Sequence, residues 1–125
     1  MKKNIYQPIK ATIEEVIEET PAIKTFRLKP ESDFRFATGQ FIELTVPGIG
    51  EAPFTPSSDP GAGDRLELTI MKAGEVTSKL HNMQKGDTVG IRGPYGKGYP
   101  RDKFKQKDIL IVGGGVGLAP LRSLL

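Results

Sequence analysis

The chain contains no cysteine and only one histidine, His81, among its 125 residues. Without cysteine it can form no disulfide, no thiolate zinc site and no cysteine-ligated iron–sulfur cluster. A single histidine supports no Ser/His/Asp arrangement, and the aspartates and glutamates show no metal-ligand spacing. We therefore predict no metal site. Any redox chemistry must use a bound organic cofactor or a partner.

Long apolar runs and blocks of like charge are also missing. No stretch is long enough to span a bilayer, and the N-terminus "MKKNIYQPIK" has no hydrophobic signal core. The net charge is only +3, with no Lys/Arg block or interleaved aromatic residues. These absences predict a cytoplasmic protein with no membrane span and no nucleic-acid partner.

Alternation of apolar and polar residues is the main pattern that is present, and it predicts strands. The stretch 11–19 also fits a helical face, so helix is the competing interpretation there. Its β-branched residues and the break at Thr20–Pro21 favour strand. The predicted strands cover 10–18, 23–29, 41–46, "DRLELTIMK" and "DTVGIRGP".

One short helix is predicted, from Glu75 to Met83. About six strands with a single helix indicate a mainly β fold, a six-stranded antiparallel barrel. The pattern then changes to "ILIVGGG", a continuous apolar run typical of a parallel strand buried on both faces. We predict a barrel domain over 1–98, a linker over 99–107 and the start of an α/β domain over 108–125.

A glycine cluster follows this apolar run, at Gly113, Gly114, Gly115 and Gly117. Glycines between a strand and a helix let backbone amides approach a phosphate, and the helix N-terminus favours its negative charge. The alternative is a tight turn with no ligand.

Two further segments carry candidate chemistry. In "EAPFTPSS", Phe54 and Thr55 could stack on a flat ring and hydrogen bond to its rim, or belong to the core and a strand. In "KAGEVTSKLH", Gly74 permits a sharp turn, and Thr77 lies where free helix amides could hold a phosphate. The alternative is that Thr77 only caps the helix. His81, one turn further, is interpreted as a surface residue.

The order of these segments resembles the ferredoxin–NADP reductase superfamily across nearly the whole chain. The resemblance rests on "GQFIELTVPGIGEAPFTPSS", "GEVTSKLH", "GIRGPYGKGYP" and "VGGGVGLAPLRSLL". It is strongest to electron-transfer subunits of hydrogenase and sulfhydrogenase, anaerobic sulfite reductase and dihydroorotate dehydrogenase. It implies a Greek-key barrel that binds FAD, followed by the first βα unit of an NAD(P)-binding domain whose remainder is missing.

The resemblance also implies roles for individual residues. Phe54 would stack on the isoalloxazine, and Thr55 would reach flavin N5 as the catalytic residue. Ala52 stands where the family has an arginine for the FAD pyrophosphate, a lost charge that Lys72 or Arg92 would have to supply. The implied cofactor-binding set is Phe54, Thr55, Pro56, Ile70, Met71, Lys72, Gly74, Val76, Thr77, Gly113, Gly114, Gly115 and Gly117.

The implied function is FAD-mediated electron transfer between NAD(P)H and an iron–sulfur or catalytic partner subunit, with hydride passing between nicotinamide C4 and flavin N5. One alternative is a non-catalytic docking or regulatory barrel that binds no flavin, and another is a preference for FMN. The apolar segments 109–112 and 118–125 are expected to pack on the barrel, to pair with a second copy, or to be poorly ordered.

Overall fold

A computed structural model describes residues 7–124. Residues 1–6, part of the segment predicted to lack a signal core, and residue 125, the end of the predicted C-terminal helix, lie outside the described residues. The longest helix within 7–124 has seven residues, so none there could cross a bilayer. The strands and helices are β1 (Ile9–Thr20), β2 (Ile23–Pro30), β3 (Phe41–Val46), β4 (Gly50–Phe54), β5 (Leu66–Met71), α1 (Glu75–His81), β6 (Thr88–Tyr95) and α2 (Leu118–Arg122), with 3-10 turns at Arg101–Phe104 and Gly115–Gly117.

The six strands form one antiparallel sheet in the order β4-β3-β6-β1-β2-β5. The predicted six-stranded, mainly β architecture is confirmed. The competing helix over 11–19 is wrong, because β1 pairs with β2 on one side and β6 on the other. Its alternation of buried Ala11 and Ile13 with less buried neighbours has the period of a strand, which this pairing satisfies.

The core lies inside this curved sheet and takes every second residue of the strands. In β3 and β5 the buried set has the predicted phase, with Ile42, Leu44 and Val46 on β3. The other buried apolar residues are Ala11, Ile13, Phe26, Leu28, Phe34, Phe36, Leu66, Leu68, Ile70, Leu80, Val89 and Ile91.

The end strands of the sheet, β4 and β5, share no backbone ladder among the described residues, and we call the line between them the seam. One end of the seam is bridged by hydrogen bonds: the Ser57 N–H donates to the Glu67 carbonyl at 2.9 Å, and the Glu67 N–H donates to Ser58 Oγ at 3.0 Å. At the other end lies α1, where a Cβ placed on Gly50 would meet Val76 Cγ2 at 3.4 Å. The sheet is therefore nearly closed, with an opening along the seam.

Residues 109–124, the tail, differ from the sequence-based expectation in one element. No strand forms over 109–112 within the described residues, and Leu110 and Val112 are 88% and 79% exposed. A strand requires neighbours for its backbone groups, and none of the described strands pairs there. The predicted helix does begin at Leu118. The tail packs on the barrel, the first of the three expected arrangements, since Arg122 Nη1 lies 3.3 Å from Glu67 Oε2.

Candidate functional site

A shallow hollow of about 500 Å³ lies at the end of β4. Phe54, the last residue of β4, is half-buried against the core, and Thr55 follows it directly. Phe41, Glu43 and Pro53 complete the lining of the hollow. An aromatic face beside a hydroxyl can accept a flat ring and hydrogen bond to its edge. The two residues predicted to contact a ring therefore line one surface hollow.

A second cavity, of about 450 Å³, lies between the barrel and the tail. We call it the barrel–tail cavity. The barrel contributes Thr25, Ser57 and Thr69, whereas the tail contributes mostly apolar side chains and the backbone of Gly115. Apolar walls with a few convergent polar groups are typical of sites for flat organic ligands. Because Ser57 also bridges the seam to β5, this cavity lies beside the seam.

The predicted site residues at the end of β5 differ in their exposure to solvent. The Ile70 side chain is 1% exposed in the core, and its carbonyl lies 2.9 Å from His81 Nε2, so its side chain is not available to a ligand. Met71 and Lys72 are exposed. Thr69 faces the barrel–tail cavity and was not among the predicted residues. The alternation of β5 carries the signal that could have found it, since residues next to buried Ile70 must point outward.

The interpretation of His81 as a surface residue is wrong. Its side chain is only 7% exposed, and its ring lies 6.1 Å from that of Phe26. The bond between His81 and the Ile70 carbonyl ties the end of α1 to β5. The histidine therefore holds the helix that borders the seam, and it does not face a ligand.

Thr77 acts as a helix cap, the alternative left open by the sequence. Its Oγ1 accepts hydrogen bonds from the N–H groups of Ala73 and Gly74 at 2.7 and 2.8 Å. The chain does bend at Gly74, as expected, but its φ of −168° is extended backbone that any residue adopts, so the bend does not require glycine. A Cβ at Gly74 would meet no atom within 4 Å. The start of α1 thus leaves open space that a side chain would occupy.

The charge that Arg92 was expected to lend to a ligand is committed elsewhere. Its Nε and Nη2 donate to the two carboxylate oxygens of Glu51, and its Nη1 donates to Tyr95 Oη at 3.1 Å. The hydrogen bonds from Arg92 hold the pKa of Glu51 below its ordinary value, although partial burial opposes this. The same carboxylate raises the pKa of Arg92. Lys72 has no side-chain partner within residues 7–124 and is an exposed cation three residues before the start of α1.

The glycine loop differs from position to position. Gly115 has a φ of +56°, and a Cβ at Gly113 would lie 2.7 Å from Leu118 Cδ1, so fold and packing require glycine at both. At Gly114 and Gly117 a Cβ would meet nothing within 4 Å. Those two positions leave room for a ligand to approach the backbone. No three Asp, Glu or His side chains within 7–124 come together in a way that could hold a metal ion.

Comparison with known proteins matches the family of oxidoreductase FAD-binding domains over residues 9–99. Among curated relatives, the gamma subunit of sulfhydrogenase 1 from Pyrococcus furiosus is 44% identical over 111 residues, 86% of this chain and 38% of that protein. A probable electron transfer subunit of dihydroorotate dehydrogenase B (NAD(+)) from Methanocella arvoryzae is 44% identical over 94% of this chain and 42% of its own length. The chain therefore spans less than half the length of these relatives.

Solved structures show the same fold. The cytochrome P450 reductase GcoB of Amycolatopsis matches 94% of this chain and 37% of its own, with a TM-score of 0.82 and 28% identity. A ferredoxin NADP+ reductase from Neisseria gonorrhoeae with bound FAD and NADP matches with a TM-score of 0.73 and 24% identity, over 94% of this chain and 50% of that one. The resemblance predicted from the sequence is confirmed, and the chain belongs to the oxidoreductase FAD-binding domain family.

Proposed function

We propose that this chain is the flavin-binding part of an NAD(P)H-dependent electron-transfer protein that serves an iron–sulfur or catalytic partner subunit. The curated relatives are subunits of sulfhydrogenase and dihydroorotate dehydrogenase, according to their names. Since the chain spans less than half of them, the electron donor, the partner and a cytoplasmic location are proposals for this protein. The nicotinamide would bind mainly in the rest of the second domain, which we place from residue 108 onward.

The observation that carries the proposal is the arrangement around the seam. The hollow with Phe54 and Thr55 lies at the end of β4, and the barrel–tail cavity lies on the β5 side. Ser57 follows Thr55 by two residues and lines the cavity. The glycine loop reaches the same cavity through Gly115. A hollow suited to a flat ring and a cavity reached by a phosphate-type glycine loop are thus joined by one short segment, residues 54–57.

The residues present fit FAD. Phe54 would stack against the ring system, and Thr55 would hydrogen bond to ring nitrogen N5. Gly74, whose own N–H is bonded to Thr77, would leave the open space through which the diphosphate reaches the N–H of Val76, with Lys72 supplying positive charge in place of an arginine at Ala52. When bound, FAD supplies the capacity to accept two electrons as hydride and release them singly. The chain's own residues orient it and exclude water from one side.

The test is an absorbance spectrum of the purified chain after incubation with FAD and desalting. We expect retained flavin bands and quenched flavin fluorescence. Phe54→Ala should abolish the quenching of flavin fluorescence and most of the flavin retention. Thr55→Ala should reduce flavin retention by a smaller amount. Phe104→Ala is the matched control, a half-buried phenylalanine in a 3-10 turn that lines neither the hollow nor the barrel–tail cavity, and should retain flavin. A colourless wild-type protein would contradict the proposal. Steady NAD(P)H oxidation by these 125 residues alone would contradict our assignment of nicotinamide binding to the second domain.

A non-catalytic docking barrel without flavin is the second candidate, and one observation favours it. Position 52 lacks the family's arginine, and Arg92 is committed to Glu51 rather than to a ligand. A weaker form of the same argument predicts a preference for FMN, which has no diphosphate. Titration with FAD and with FMN separates the three outcomes. Tighter binding of FAD than of FMN supports the proposal. Equal or tighter binding of FMN supports the preference for FMN, and binding of neither flavin supports the docking barrel.

A further inference from the structure

Three side chains on the wall of the barrel–tail cavity form a chain of hydrogen bonds. Thr25 Oγ1 donates to Glu19 Oε1 at 2.9 Å and lies 2.9 Å from Thr69 Oγ1. Thr25 is only 5% exposed, so its hydroxyl is fixed inside the wall. Glu19 belongs to β1, Thr25 to β2 and Thr69 to β5, and all three line the cavity. The cavity therefore has one ordered polar edge among mostly apolar walls.

The direction of these hydrogen bonds follows from counting protons. A carboxylate only accepts hydrogen bonds, and a threonine hydroxyl has one proton to donate. Since Thr25 gives its proton to Glu19, it has none left for Thr69. The hydroxyl of Thr69 must then be the donor in the bond between the two threonines. With its proton committed to Thr25, Thr69 Oγ1 can only accept a hydrogen bond from the cavity.

We propose that Glu19 and Thr25 hold Thr69 as a fixed hydrogen-bond acceptor for an N–H or O–H group of the flavin bound along the seam. This inference rests on the proposed function and goes beyond it. Thr69 would contact the flavin, whereas Thr25 and Glu19 are positioning residues that act through Thr69. The donor is one of two groups, the N3–H of the ring or a hydroxyl of the ribityl chain.

A fixed acceptor selects its ligand in a way that a rotating hydroxyl does not. A free threonine turns its proton toward or away from a ligand as required, and so it tolerates an acceptor as well as a donor. With its proton held by Thr25, Thr69 favours a donor and disfavours a carbonyl at the same place. An unsatisfied buried donor on the ligand is unfavourable, and binding should therefore be sensitive to the loss of Thr69 Oγ1.

The test compares flavin dissociation constants for isosteric variants of the chain. Thr69→Val should weaken FAD binding about tenfold, because it removes the acceptor and keeps the shape. Thr69→Ser keeps the acceptor and should retain affinity. Thr25→Val and Glu19→Ala free the Thr69 proton and should weaken binding about threefold. Thr88→Val, on β6 away from the cavity, is the matched control and should change nothing.

Lumiflavin, which has the ring but no ribityl chain, identifies the donor. If Thr69→Val weakens lumiflavin as much as FAD, the donor is the ring N3–H. If it weakens FAD alone, the donor is a ribityl hydroxyl. Wild-type binding of FAD with no difference between Thr69→Val and Thr88→Val would overturn the inference and leave the proposed function standing. No binding of FAD to the wild-type chain would overturn both. Thermal unfolding of each variant shows whether it is folded.

Discussion

The barrel and the tail respond differently to the same kind of sequence signal, a run of apolar residues. In the barrel, Leu66, Leu68 and Ile70 alternate with more polar residues and are at most 1% exposed. In the tail, Leu110 and Val112 belong to a continuous apolar run and are 88% and 79% exposed. The alternating residues need one covered face, and the strands of the barrel cover it. The continuous run needs two covered faces, and residues 7–124 cover neither fully.

The difference shows that an alternating apolar pattern is sufficient to predict a strand in this chain, whereas a continuous apolar run is not. An alternating strand finds its hydrogen-bond partners within the barrel, as β1 does with β2 and β6. A parallel strand buried on both faces depends on strands and helices that come from elsewhere in a fold. The pattern at 109–112 therefore predicts a strand only where other strands and helices cover both of its faces. Within the described residues, only the helix that follows this run is formed as expected.

The largest difference between barrel and tail is expected in the free energy of unfolding, when one leucine of each is replaced by alanine. Leu68→Ala removes a side chain that is 0% exposed and should lower the free energy of unfolding by about 3 kcal/mol, because it leaves a cavity in the core. Leu110→Ala removes an exposed side chain and should change it by less than about 0.5 kcal/mol. Urea denaturation followed by circular dichroism measures both. Equal destabilisation would mean that the tail belongs to the same cooperative core.

The strands were predictable from the sequence where alternation was clean, as in β3, β5 and β6. β4 was not identified as a strand, since Gly50 and Pro53 have low strand propensity. As an end strand of the sheet it needs no ladder on its outer side and tolerates proline. The residues at the end of β4 predicted a ring-binding site, but no alternating pattern within β4 predicted that it is a strand.

The candidate site was predictable where a role depends on one segment, and less so where it depends on several. Phe54 and Thr55 do line one hollow. The sequence could not show that Arg92 is paired with Glu51, because the two residues lie on β6 and β4 with β3 between them. It could not show the burial of His81 either, since that depends on how α1 packs against Phe26. The roles of all these residues toward a cofactor remain predictions.

A smaller loss of stability is expected when the hydrogen bond between Ser58 and Glu67, which bridges one end of the seam, is removed. Ser58→Ala removes the oxygen that accepts the Glu67 N–H, and should lower the free energy of unfolding by about 1 kcal/mol. Hydrogen exchange at the Glu67 amide should accelerate, because that amide loses its partner. Ser32→Ala, at an exposed position, is the matched control. Unchanged exchange at Glu67 would show that the seam is held closed by other contacts.

The pair of Glu51 and Arg92 should contribute a weaker effect that depends on pH. Because the folded state lowers the pKa of Glu51 below 4.5, the stabilisation is fully present above pH 4.5 and is lost as pH falls through the lowered value. The wild-type chain should therefore be more stable than Glu51→Gln at pH 7, and the difference should shrink in acid. Glu18→Gln, at an exposed position on β1, is the matched control. A pH-independent difference would contradict this assignment.

The smallest effect should come from the ion pair that links the tail to the barrel. The side chain of Arg122 is 68% exposed, and exposed pairs contribute at most about 1 kcal/mol. Arg122→Ala should hardly change the unfolding of the barrel, because the core does not depend on it. It should instead accelerate hydrogen exchange at the Leu124 amide, which donates to the Leu121 carbonyl within the tail. Arg65→Ala, an exposed arginine of the barrel that lines no cavity with the tail, should change neither quantity. If Arg122→Ala destabilised the barrel as strongly as Ser58→Ala does, the tail would be an integral part of the flavin domain, and the domain boundary that we place near residue 108 would have to move beyond residue 122.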